Sequence, residues 1–86
     1  MNEYQKNLSS KEFLNQVYVK INFLLDKILK GETKYISNIV AIFMELQRET
    51  NSIDLQNIYN DLSLKLLSKE EKNIKEVKEA IKKFLK

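Results

Sequence analysis

Apolar residues recur at Leu14, Val17, Ile21, Leu24 and Ile28, at spacings of three and four that place them on one face of a helix. Tyr18, Leu25 and Leu29 widen that stripe. Just upstream, Ser9 and Glu12 have the spacing of a capping box, in which each side chain satisfies an amide at the helix start. Leu8 and Phe13 fall where a hydrophobic staple closes over that start. Gly31, the only glycine in the chain, is the natural residue to follow the last turn, because a left-handed backbone there carries no Cβ penalty. The pattern predicts a first helix over residues 11–30.

The stripe restarts at Tyr35-Ile36 and continues through Ile39, Val40, Phe43 and Leu46. Ile42 and Met44 broaden it so far that this second helix is expected to be covered on two sides, as a central element would be. The β-branched run "ISNIVAI" would suit a strand, but the helical recurrence persists to Leu46 and decides for helix. "RETNS" ends it, with Asn51 expected in a left-handed cap. Ser52 then caps a third helix whose stripe is Leu55, Ile58, Tyr59, Leu62 and Leu66, with Ile53 and Leu67 at its ends.

Positions 69–73 are wholly polar, and Ser68 with Glu71 repeats the capping-box spacing. A break near Ser68 is expected, then a fourth helix carrying Ile74, Val77, Ile81 and Phe84, with Ala80 and Leu85 beside them. One continuous helix from Ile53 to Phe84 is the alternative. The fold class that follows is all-α, an antiparallel bundle of three or four helices in a single domain over residues 1–86. Residues 1–8 are expected to be a flexible or short helical lead-in.

Composition then narrows the chemistry. A chain of 86 residues buries only about 60–65% of its unfolded surface, so stability must come from one core or from a partner. The chain has no cysteine, hence no disulfide, thiolate nucleophile or thiolate metal site. It has no histidine, which removes the commonest general base and transition-metal ligand. Asp54 and Asp61, seven apart, and Glu45 and Glu49, four apart, lie on the polar sides of their stripes, where nothing raises their pKa towards catalytic use. One glycine cannot build a phosphate-binding loop. A non-enzymatic protein without cofactor or metal is expected. The longest apolar run, Ile39 to Met44, is far too short to span a bilayer, and "MNEYQKN" lacks a signal-peptide layout, so a soluble, cytoplasmic protein is expected.

The net charge of +3 is unevenly distributed. Residues 1–64 carry seven Lys/Arg against eight Asp/Glu, whereas residues 65–86 carry eight Lys against four Glu. Glutamates are interleaved with those lysines and Arg48 is the sole arginine, which argues against nucleic acid as the partner. The last helix instead offers a face for a protein partner: Ile74, Val77, Ile81, Phe84 and Leu85, bordered by Lys78, Lys82 and Lys83. The same amphipathic layout is compatible with peripheral membrane contact or with zipping two copies into a homo-oligomer. Phe23, Tyr4, Tyr35 and Tyr59 are aromatic groups that could stand at a surface, and Phe13, Phe43 and Phe84 read as core.

The order of the pieces adds a family resemblance. "LLDKILKGE" closes one helix, "YISNIVAIFMELQ" forms a strongly apolar second, and "IDLQNIYNDLS", with Leu55, Ile58, Tyr59 and Leu62, opens the next after a short polar turn. Over residues 23–62 this succession resembles the immunity proteins of class IIa (pediocin-like) bacteriocins. The resemblance implies a cytoplasmic antiparallel four-helix bundle that protects the producing cell. It would act with the bacteriocin's membrane receptor, a sugar-uptake transporter, and recognise the bacteriocin through its C-terminal region. The Lys-, Asn- and Ile-rich composition suits a low-GC Gram-positive host or its phages. The alternative is another small helical interaction protein, such as a phage-encoded inhibitor of a host enzyme or an assembly subunit.

Overall fold

Among the described residues, four helices account for the apolar periodicity: α1 (Ser10–Leu29), α2 (Ile36–Glu49), α3 (Ile53–Leu67) and α4 (Glu71–Phe84). The computed structural model describes residues 10–85. The expected capping box at Ser9 and staple at Leu8 lie outside the described residues, as does Tyr4. The break at Ser68 is real, so the continuous helix from Ile53 to Phe84 is ruled out.

α1 ends as its glycine requires. Gly31 has φ +107°, and its N–H donates to the Ile28 carbonyl at 2.9 Å while the Glu32 N–H reaches back to Lys27 at 3.0 Å. These are the paired 5→2 and 6→1 bonds of a Schellman ending. The chain restarts through a 3-10 turn at Thr33–Tyr35 before α2 begins at Ile36. α2 does not end on Asn51 as expected. Thr50 takes an extended backbone, its Oγ1 accepts from the Ser52 N–H at 3.2 Å, and its carbonyl accepts from Gln56 Nε2 at 3.1 Å. With the turn already bridged by Thr50, no left-handed residue is needed. Ser52 Oγ then accepts from the Leu55 N–H and caps α3 as expected.

The α3–α4 junction departs from the capping-box expectation. Ser68 closes α3 instead of opening α4: its Oγ donates to the Lys65 carbonyl at 2.6 Å and accepts from the Glu70 N–H and from Asn73 Nδ2. Lys69, at φ 62°, makes the left-handed step between the helices.

The helices run up and down in turn. Phe43 of α2 stacks on Tyr59 of α3, and Lys65 of α3 pairs with Glu76 of α4. α4 closes back on α1, with Lys78 at Asp26 and Phe84 at Tyr18. α1 and α3 therefore face each other across the diagonal, where Tyr18 and Tyr59 share a buried hydroxyl–hydroxyl bond of 2.6 Å. The chain Phe84–Tyr18–Tyr59–Phe43 takes one ring from each helix, with ring centroids 5.0 Å and 6.0 Å apart at its two stacked ends. Around it pack Ile21, Leu25, Ile39, Leu66, Val77 and Ile81, all fully buried.

Several positions correct the sequence stripes. Tyr59 is buried at 1% exposure and presents no ring at the surface. Ile53, Ile58 and Leu67, assigned to the α3 stripe, are exposed, while the polar Ser63 is buried. α2 is not covered on two sides, since Met44 is exposed. Phe43 is core as expected, whereas Phe13 and Phe84 are half-buried.

Two stability measurements check this account. A Cβ added at Gly31 meets no atom within 4 Å, so Gly31→Ala should cost only the backbone strain of positive φ, about 1–2 kcal/mol in denaturant unfolding. Tyr18→Phe or Tyr59→Phe each strands a buried hydroxyl and should cost about 1–3 kcal/mol, while the double variant should cost clearly less than the sum of the two. Strictly additive losses would show that the hydroxyls do not depend on each other.

Candidate interaction surface

α4 is the most amphipathic element, and its apolar stripe is used internally. Ile74, Val77 and Ile81 are buried at 4%, 0% and 0% exposure. Phe84 and Leu85 are half-buried against the same core, with Phe84 stacked on Tyr18 at an interplanar angle of 15°. The expectation that these five residues form an open partner face is corrected: burying them completes the bundle.

Lys78 is likewise occupied. Its ammonium donates to Asn22 Oδ1 at 3.0 Å and pairs with the Asp26 carboxylate, tying the middle of α4 to α1. That hydrogen bond holds the Asp26 carboxyl below its usual range, with the Lys78, Lys30 and Lys82 charges adding to it. On the other flank, Lys65 bridges Asp61 and Glu76, both at 3.2 Å, and these hydrogen bonds raise its pKa. Of the three lysines expected to border a partner face, Lys82 and Lys83 remain exposed. Lys82 pairs with Glu79 at 3.5 Å.

The carboxylates singled out in the sequence lie at the surface. Asp54, Asp61, Glu45 and Glu49 are all exposed. Glu45 is held by Arg48 at 2.9 Å and Asp61 by Lys65. Among the described residues, no three acidic, histidine or cysteine side chains converge as metal ligands, and no helix is long and apolar enough to cross a membrane.

What the surface does offer is apolar. Val19 and Phe23 stand 53% and 58% exposed on the outer side of α1. Ile53, Leu64 and Leu67 lie within a narrow arc of the outer side of α3, all more than half exposed. Phe23 was anticipated from its place off the α1 stripe. Val19 and Leu64 were not, although each sits among stripe residues at a helical angle that points it away from them. A groove of about 360 Å³ separates α1 from α2, lined by Lys20, Leu24, Ser37, Asn38, Ala41 and Ile42. A second cleft of about 720 Å³ lies where the start of α1 meets Phe84, beside Tyr18 and Asn15.

The docked position of α4 sets two expectations. Phe84→Ala should lower unfolding stability by about 2 kcal/mol, through lost stacking and burial; an unchanged melting temperature would place Phe84 outside the core. Asp26 has a folded pKa below its unfolded value, so its contribution is present above about pH 4 and is lost as the pH falls through the folded value. Because half of the carboxylate side chain is exposed, that contribution should be small and weakened by salt. Lys78→Met should return the Asp26 titration, followed by carboxyl-carbon NMR, to the ordinary aspartate range.

Comparison of the chain with protein-family models, curated proteins and solved structures finds no match.

Proposed function

We propose that this chain is a non-enzymatic binding protein whose partner is another protein. The observation that carries this reading is the set of large apolar residues left outside the core that the described residues form. Phe23, Met44, Ile53, Leu64 and Leu67 are each more than half exposed on a bundle whose interior is filled by α1–α4. Single apolar residues are ordinary on a surface, but Ile53, Leu64 and Leu67 share one arc of α3, and that suits an interaction face. The carboxylates are solvated or paired, which gives acid–base chemistry no support.

Within that class we propose a role of the bacteriocin-immunity kind, acting in the cytoplasm at a membrane receptor complex. The resemblance over residues 23–62 suggests it, and the antiparallel four-helix architecture with a glycine-ended first helix is consistent with it. Because the apolar stripe of α4 is buried, the C-terminal contribution to recognition falls to exposed groups such as Lys82 and Lys83.

The test is protection of a sensitive strain. Expressed inside bacteria killed by pediocin-like peptides, the chain should raise survival against at least one member of a panel. Unchanged killing across the panel rejects the immunity role and leaves a helical interaction module, such as an inhibitor of a host enzyme, as the reading.

A further inference from the structure

The two exposed apolar areas differ in what surrounds them. On α3, Ile53, Leu64 and Leu67 are separated by Asn57 and Asn60, and no charge pattern there indicates what would cover them. On the α1 side the surroundings are strongly one-signed. Lys20 lines the α1–α2 groove, Lys27 lies 4.9 Å over the Phe23 ring, and Lys30 follows on the same outer side of α1. Lys34, 5.3 Å over the Tyr35 ring, continues the series through the 3-10 turn. The nearby acidic groups are largely spoken for: Asp26 is paired with Lys78, and Glu45, one turn beyond the groove on α2, is paired with Arg48. Glu32, in the turn after α1, offsets only one of these charges.

The groove adds shape to that charge. It runs between two helices that meet far less closely than α2 does with α3 or α1 with α4. Its floor includes Leu24, buried at 8% exposure, and the half-buried Ile42, with Ser37 and Asn38 supplying polar groups on the α2 rim. A recessed apolar floor with Lys20 on its edge, and with Phe23 and Lys27 beside it on the outer side of α1, suits a rod-shaped occupant that has a bulky apolar edge and acidic flanks. A flat lipid surface would meet Phe23 and the lysine heads but could not reach Leu24.

We propose that the groove between α1 and α2 docks an acidic amphipathic helix of a partner protein, its apolar edge resting on Phe23, Leu24 and Ile42 and its carboxylates meeting Lys20, Lys27, Lys30 and Lys34. This rests on the reading of the chain as a protein-binding bundle and names the class of partner for it. Association is steered by the lysines, so it weakens as salt contracts the screening length from about 10 Å at 0.1 M to about 3 Å at 1 M.

The experiment uses the full chain, labelled with nitrogen-15, and a designed helical peptide with leucines along one edge and glutamates elsewhere. The proposal expects amide shifts at Lys20, Phe23, Leu24, Ala41 and Ile42, saturable and reduced by salt. Lys20→Glu combined with Lys27→Glu should weaken binding about tenfold or more. Phe23→Ala should weaken it as well, with thermal stability unchanged because the ring is exposed. Absence of shifts, shifts centred on α3, or equal binding of the same peptide with lysines for glutamates would each overturn the proposal. So would binding to phosphatidylglycerol vesicles or to duplex DNA without binding to the peptide, which would assign the lysines to lipid or to nucleic acid. A chain that protects cells but ignores the peptide rejects the groove alone; one that takes the peptide but protects no cell rejects the immunity role alone.

Discussion

The hydrogen bond between Tyr18 and Tyr59 constrains everything around it. Two hydroxyls at the centre of an apolar core have no access to water, so each must find its partner in the other. Burial pushes the Tyr18 hydroxyl's pKa well above its ordinary value, and the bond to Tyr59 reinforces that shift. A bond of this kind fixes the diagonal of the bundle in rotation and in height. Apolar contact alone would tolerate some sliding of α1 against α3, whereas a directional bond does not. With that diagonal set, Phe84 and Phe43 stack on the outer faces of the two rings and carry the alignment to α4 and α2.

Charge completes the alignment at the edges. Lys78 reaches α1 and Lys65 reaches α4, each from a side chain less than a third exposed, so the two flanks of α4 are tied to different neighbours. Exposed ion pairs contribute little to stability. Their use here is positional: they hold in register the helix whose surface is otherwise the most charged. The same arrangement consumes Lys78 and Asp26, which is why the open cationic character lies on α1 and its turn and not on the centre of α4.

Much of this fold is legible in the sequence because helices declare themselves by period and by their ends. Gly31 and Ser52 stop and start helices by local backbone chemistry that needs no tertiary context. Ser68 misled because a serine followed three residues later by glutamate is ambiguous between ending one helix and starting another; the left-handed Lys69 shifts the start of α4 to Glu71. Tyr59 misled for another reason. A tyrosine on a stripe carries a polar atom, and only a second hydroxyl from forty-one residues away allows it to be buried. The candidate interaction surface was the least legible part. An amphipathic helix has the same pattern whether it covers its own core or another protein's, so the stripe of α4 could not disclose which. Phe23 was readable because it sits off its stripe, while the groove beside it depends on how far α1 and α2 stand apart, which no single helix encodes.

The closure of α4 onto α1 also sets an order of events. α2 and α3 are neighbours in sequence and can form their hairpin locally, whereas α1 meets α3 across forty-one residues, at Tyr18 and Tyr59, and α4 across fifty-two, at Asp26 and Lys78. Among the described helices, the closures that bring α3 and α4 onto α1 therefore cost the most chain entropy. Until α4 docks, the ring of Tyr18 lacks the Phe84 stack.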